Sequence, residues 1–264
     1  MIRFLTLAIF VAFSLASARA DDLAPTGTLR AVYLSSNPAQ AVQDRATGEI
    51  RGASADLARE LGRRINVPVQ LTGVADPPAV IDAVSNGVAD IGFVAFAPER
   101  VGSVEFSQVY MLVRQSFLVR EDSGLHAVAD VDRAGLKVAG TVNDSITLFM
   151  KRKFKNATLL EIANDPAEIK RRLAGKEIDA FGANRQRLTN LMKDTAGLHM
   201  LPDNLFGVPQ TIIVPKGKPD VLAAVNRFMD DVSASGFLKE AIDKSGIVGL
   251  EVAPTGSWTP SVPE

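Results

Sequence analysis

An α/β fold of two similar lobes joined by two crossing strands is what this sequence predicts. Three observations carry that prediction. Strand-like and helix-like segments alternate through two successive runs. One phrase recurs near the end of both runs, and an extended apolar segment follows each run. In the first run, residues 28–34 read as a strand. Residues 53–65 place Leu57, Ala58, Leu61 and Ile65 on one helical stripe. Residues 67–71 read as a strand and 78–85 as a helix. Residues 89–95 form a near-continuous apolar strand, the kind buried on both faces of a parallel sheet. Such β-α-β-α-β order implies an α/β fold.

The second run repeats the order, with strands at 136–139, 158–162 and 178–181 and helices at 144–154 and 166–173. AVSNGVADIG at 83–92 and RLAGKEIDAFG at 172–182 each join a helix, a glycine-bearing turn, an aspartate and an apolar strand. Residues 115–120 lead out of the first run as a strand. Residues 210–215 form another after the second, followed by helices at 220–232 and 238–245. If the chain returns to the first lobe through 210–215, two antiparallel strands connect the lobes as a hinge, a geometry that traps ligands in a cleft. The expected division is 21–112 with 213–250 as the first lobe and 113–212 as the second. Residues 251–264, with three prolines and no periodicity, are expected to be a disordered tail.

Residues 1–20 read as an address. Arg3 supplies a positive start, 4–16 an apolar run short for a bilayer span, and Ala18-Arg19-Ala20 a small-x-small cleavage pattern. The expected product is soluble, exported and monomeric, with no lipid anchor, since no cysteine follows the apolar run. Removing Arg3 and Arg19 leaves 27 basic against 30 acidic side chains, a net −3. That charge argues against nucleic acid and gives no reason to expect an anionic membrane as partner. Zero cysteines exclude a disulfide scaffold and thiolate chemistry.

Other chemistry is weakly signalled. His126 and His199 have no second ligand at i+3 or i+4, so no metal is expected. G-x-S-x-G, GxGxxG after a strand and the P-loop pattern are absent, and no cofactor is expected. Asp21-Asp22 and Asp230-Asp231 read as solvated charge.

The ordered pieces resemble the bacterial extracellular solute-binding proteins of family 3, the amino-acid type serving ABC transporters. The residues carrying the resemblance are GASADLARELG at 52–62 and Val88-Ala-Asp-Ile91. They continue with Ala97-Pro-Glu-Arg100, Glu105-Phe-Ser107 with Tyr110, the segment 130–138, and Ile178-Asp-Ala-Phe181. The span is roughly 27–249. The resemblance implies a two-lobed periplasmic binding fold of type II kind that closes on a small anionic solute and presents it to an inner-membrane ABC permease.

It also implies site residues. Arg100 stands at the arginine that grips a ligand carboxylate, and a guanidinium offers the paired, planar donors for this. Taken alone, an arginine just after Pro98 reads as a solvated surface group; the surrounding motif favours the clamp. Ala95 stands where a serine is common and leaves only main-chain N–H. Asn143-Asp144-Ser145 falls at the second lobe's helix start, which is also a plain N-cap signature. Asn184 occupies the place of the amine-binding aspartate, without its charge. In the loop at 35–40, Asn37 and Gln40 replace the family's aromatic platform. A binding protein whose ligand is not an amino acid at all is one alternative, and two other readings stay open. One is an enzyme on the same fold, resembling cyclohexadienyl dehydratases, with Asp144 or Glu161 as acid or base. The other is a protein-interaction or sensor module.

Overall fold

The computed structural model describes residues 20–142 and 144–258, so residues 1–19, where an export address is expected, Asn143 and the last six residues lie outside the described residues. The chain opens with a short helix α1 (Ala20–Leu23) and strand β1 (Leu29–Leu34). A small hairpin follows, β2 (Val42–Gln43) and β3 (Ile50–Arg51), then α2 (Ala53–Arg64), β4 (Val69–Val74), α3 (Pro77–Ser85) and β5 (Ile91–Ala95). A 3-10 turn at Pro98–Arg100 leads to β6 (Val104–Phe106) and the ten-residue β7 (Met111–Arg120). The second lobe runs β8 (Lys137–Thr141), α4 (Ser145–Lys153), β9 (Thr158–Ile162), α5 (Pro166–Ala174), β10 (Ala180–Asn184), α6 (Arg185–Met192) and β11 (Leu198–Met200). The ten-residue β12 (Phe206–Pro215) leads back to α7 (Pro219–Ala234), α8 (Phe237–Lys244) and β13 (Leu250–Val252).

The main path of the sheet runs β4-β1-β5-β12-β7-β10-β8-β9, so β12 and β7 sit at its middle and join two parallel α/β units. Their antiparallel register, Phe206↔Gln115 through Gln210↔Met111, forms the crossing. Each strand serves both sides. β12 continues alongside β5 as Gln210↔Ala95 to Ile213↔Gly92, and β7 continues alongside β10 as Gln115↔Asn184 to Val119↔Ala180. That double duty explains why both strands start four residues before the predicted 115 and 210. The buried core divides at the same place. Two clusters draw on residues between Leu23 and Val113 and between Val208 and Ile242; two others draw on Phe117 to Leu201.

The recurring phrase has a physical meaning. In the first lobe, Asp90 accepts the Arg30 main-chain N–H at 2.8 Å and the Arg30 guanidinium at 2.6 and 3.1 Å, while its own N–H donates to the Arg30 carbonyl. In the second, Asp179 accepts the Lys137 N–H at 2.9 Å and donates its own N–H to the Lys137 carbonyl. Each aspartate staples the start of the central strand (β5 or β10) to the start of its neighbour (β1 or β8). This satisfies backbone groups where the ladder begins.

The tail expectation is corrected over 251–258. β13 pairs with β7 as Leu250↔Val113 to Val252↔Met111, and Ala253 is buried at 4% exposure. The Val109 N–H donates to the Ser257 carbonyl at 2.7 Å and the Gly256 N–H to Gln108 Oε1 at 3.0 Å. Prolines do not prevent this, because the segment covers an otherwise bare edge of β7 through its neighbours' hydrogen bonds.

Candidate functional site

Parallel strands aim the N-terminal ends of their following helices at the carboxyl edge of the sheet, where α/β folds bind ligands. Here the two units face one another across the crossing strands, and a cleft of about 510 Å³ lies between them. Pro77 of α3, Ser145 of α4, Pro166 of α5 and Asn184, the N-cap of α6, all line it. Four helix N-termini therefore bring their positive dipole ends toward one space, although cap side chains already accept first-turn N–H groups at three of them: Asp76 at α3, Asp165 at α5 and Asn184 at α6.

Tight packing fixes two of them. α4 lies so close on the sheet that a Cβ on Gly140 would meet Thr147 Oγ1 at 2.2 Å, and one on Gly182 would meet Ile146 Cδ1 at 2.9 Å. Thr147 Oγ1 also donates to the Thr141 carbonyl at 2.7 Å. α6 starts because Asn184 Oδ1 accepts the Arg187 N–H at 2.9 Å, an N-cap bond.

Six of the seven expected residues line the cleft: Asn37, Ala95, Arg100, Asp144, Ser145 and Asn184. Gln40 does not. It is fully buried, with Oε1 accepting the Leu34 N–H at 2.9 Å and Nε2 donating to Gln210 Oε1 at 3.1 Å. It braces β1 against β12, and Gln210 in its stead reaches the cleft. Asn37 shapes its loop through Oδ1, which accepts the Ala39 N–H at 3.2 Å.

Ala95 meets Arg100 through its carbonyl, which accepts from Arg100 Nη1 at 2.6 Å. The bond tethers the guanidinium to the end of β5 and sets where it stands in the cleft wall. Asp144 precedes α4 as its N-cap residue, beside the Ser145 and Ile146 N–H groups but without a side-chain cap bond of full geometry. Burial raises its pKa above the ordinary 3.8, and the nearby Arg187 charge opposes that rise. Glu161, the other acid or base candidate, is absent from the cleft lining and pairs with Lys151 at 2.5 Å.

Arg187 is the residue that sequence reasoning missed. Its Nη1 donates to Thr141 Oγ1 at 2.8 Å and its Nη2 to Asn164 Oδ1 at 2.5 Å. Its guanidinium lies over the Phe181 ring, 5.1 Å from the centroid, and 3.5 Å from Asp144 Oδ2. Burial pulls its pKa below the ordinary guanidinium value, with Asp144 opposing, yet a guanidinium remains cationic at neutral pH. The available signal was Asn184-x-x-Arg187: a capping asparagine puts the third following residue in the first helical turn. An arginine there works against the helix dipole, so tertiary contacts must hold it. Lys170 of α5 also lines the cleft and donates to the Lys193 carbonyl at 3.2 Å. The lining thus carries three cationic side chains, Arg100, Lys170 and Arg187, against one carboxylate, Asp144.

Comparison with known proteins agrees with this architecture. The chain is 26% identical over 171 residues to the glutamine-binding protein of Geobacillus stearothermophilus, covering 63% of this chain and 64% of that protein's length. It is 24% identical over 208 residues to the ABC transporter glutamine-binding protein GlnH of Bacillus subtilis, covering 77% of this chain and 75% of that one. Among solved structures, a putative ABC-transporter binding component from Wolinella succinogenes, complexed with lysine, superposes with a TM-score of 0.68 at 25% identity. That match covers 83% of this chain and 95% of the other. The sequence profile of the bacterial extracellular solute-binding proteins, family 3, matches residues 29–246. With its two-lobed fold and interlobe cleft, the chain belongs to that solute-binding family of the amino-acid ABC transporters.

Proposed function

We propose that the protein is the periplasmic binding component of an ABC uptake system. On this reading it is exported through the 1–20 segment, captures a small anionic solute (an amino acid or related carboxylate) and delivers it to a membrane permease. The observation that carries the anionic reading is the cleft's charge: three cations to one acid, with four helix N-termini around them. The lysine in the Wolinella neighbour would meet the wrong sign here.

Capture begins at Arg100, tethered by the Ala95 carbonyl so that its fork is presented with little rotamer freedom left to lose. The second lobe then turns about the β7–β12 crossing and brings Ser145, the α4 N-terminus and Arg187 over the solute. Expelling water strengthens each charged contact. Arg100→Ala should keep a wild-type circular dichroism spectrum and lower affinity by at least about thirtyfold, the loss expected when one partner of a desolvated charge pair goes. Calorimetry finding unchanged affinity in that variant would refute the role.

One observation favours a second reading. Asp144 is a carboxyl in the cleft whose pKa burial raises, as a general acid requires. A dehydratase acting through it would turn over prephenate or arogenate and lose that turnover in Asp144→Asn. Absence of turnover in the wild type discards the enzyme.

A further inference from the structure

We infer that the cleft takes a ligand with two anionic groups and no ammonium: a short dicarboxylate spanning from Arg100 in the first lobe to Arg187, with Lys170, in the second. This rests on the reading of the cleft as a small-anion site and narrows its ligand class.

An α-amino acid brings a carboxylate and an ammonium on one carbon. Arg100 suits the first, but the second has no prepared place. Asn184, at the amine position, is neutral, and its Oδ1 already accepts the Arg187 N–H. The one carboxylate of the lining, Asp144, faces Arg187 at 3.5 Å. An ammonium would sit among three cationic side chains, and like charges a few ångströms apart in a partly dry cleft repel strongly.

A second anion, by contrast, meets a prepared group. Two of the five N–H donors of Arg187 go to neutral oxygens, Thr141 Oγ1 and Asn164 Oδ1, and Phe181 lies beneath its plane. These contacts orient the guanidinium without neutralising it. Asp144 is at ion-pair distance, yet no hydrogen bond of full geometry joins the two. A ligand carboxylate bound in bidentate fashion would hold Arg187 better than Asp144 does. Lys170, in the middle of α5 with its Nζ donating to the Lys193 carbonyl, adds a point charge to the same lining. The cleft volume of about 510 Å³ has room for a four- or five-carbon chain between the two arginines.

Titration calorimetry on the purified chain with a fixed panel tests this: succinate, L-malate, 2-oxoglutarate, L-lactate, L-glutamate, L-glutamine and L-lysine. The expected result is that one of the three dicarboxylates binds at least about tenfold tighter than L-glutamate or L-lactate. Arg187→Gln should then weaken it about a hundredfold, and Lys170→Gln, on a partly exposed side chain, by a smaller factor. Should Arg187→Gln fail to fold, Arg187→Lys serves, keeping charge but losing the fork, with a loss of about tenfold expected. Tightest binding of L-glutamate or L-glutamine would overturn the two-anion inference and leave the amino-acid uptake reading standing. L-lactate equal to the dicarboxylates would overturn it while keeping the anion site. L-lysine as best ligand, or no binding by folded protein across the panel, would overturn both.

Discussion

Asp144 holds a proton more readily than an exposed aspartate because its surroundings withhold water, and Arg187 at 3.5 Å only partly offsets that. Two consequences follow at the scale of this residue. Ionised, it competes with any ligand anion for Arg187; protonated, it leaves Arg187 unopposed. Affinity for a fully ionised ligand should therefore rise as pH falls from neutral into the raised range of Asp144, and Asp144→Asn should flatten that profile in calorimetry. The stability sign is the same. A folded pKa above the unfolded value of about 3.8 means that the native state binds more protons between the two. This group's contribution to stability thus grows as pH falls through its raised pKa, and thermal melts of Asp144→Asn should lack it. The sequence motifs put Arg100 and Asn184 in what proves to be the cleft lining, but the capping of α6 by Asn184 was not read from the sequence. Gln40 misled because a polar side chain in a loop can be drawn inward by long-range partners, here Gln210, 170 residues on. Arg187 was hidden for the opposite reason: helix α6 is short and weakly patterned, so its first turn was not recognised as facing the cleft.

Among the elements, those buried on both faces or with a clear apolar stripe were read nearly to the residue. α2 and α5 fall within a residue of expectation, since a buried apolar stripe dictates their pattern. Those missed were the helices α1 and α6 and the two- and three-residue strands β2, β3, β6, β11 and β13, the identity of such strands lying in the partner rather than in themselves. The seating of α4 is testable at this scale. A methyl on Gly182 would meet Ile146 at 2.9 Å and Phe117 at 3.0 Å, two fully buried side chains with little room to give. Gly182→Ala should cost about 1–3 kcal/mol in denaturant unfolding and lift the start of α4 away from the cleft. The aspartate staples offer a second test. Asp90→Ala strands the Arg30 N–H and its guanidinium and should cost about 1–3 kcal/mol, whereas Asp231, 68% exposed beside Arg64, should tolerate alanine with little change.

For the whole molecule, the doubled α/β order and the two connecting segments were enough to place the lobes and the cleft, because topology follows from element order. What order could not supply was the terminal segment's role. Beyond α8 the chain does more than finish the first lobe: the Val248 N–H donates to Gln186 Oε1 at 2.8 Å, and a Cβ on Gly249 would meet Arg185 Cβ at 2.7 Å. Both contacts fall on the first turn of α6, the helix that carries Arg187. Two adjacent strands alone would let one lobe both swing and twist against the other. On the proposed closure, a third attachment to one side of them would oppose the twist, leaving a door on a fixed axis rather than a ball on a stalk. The arginines at either end of the cleft would then meet at one spacing each time it shut, so ligand length would be measured by the mechanics of the frame as well as by the chemistry of its walls.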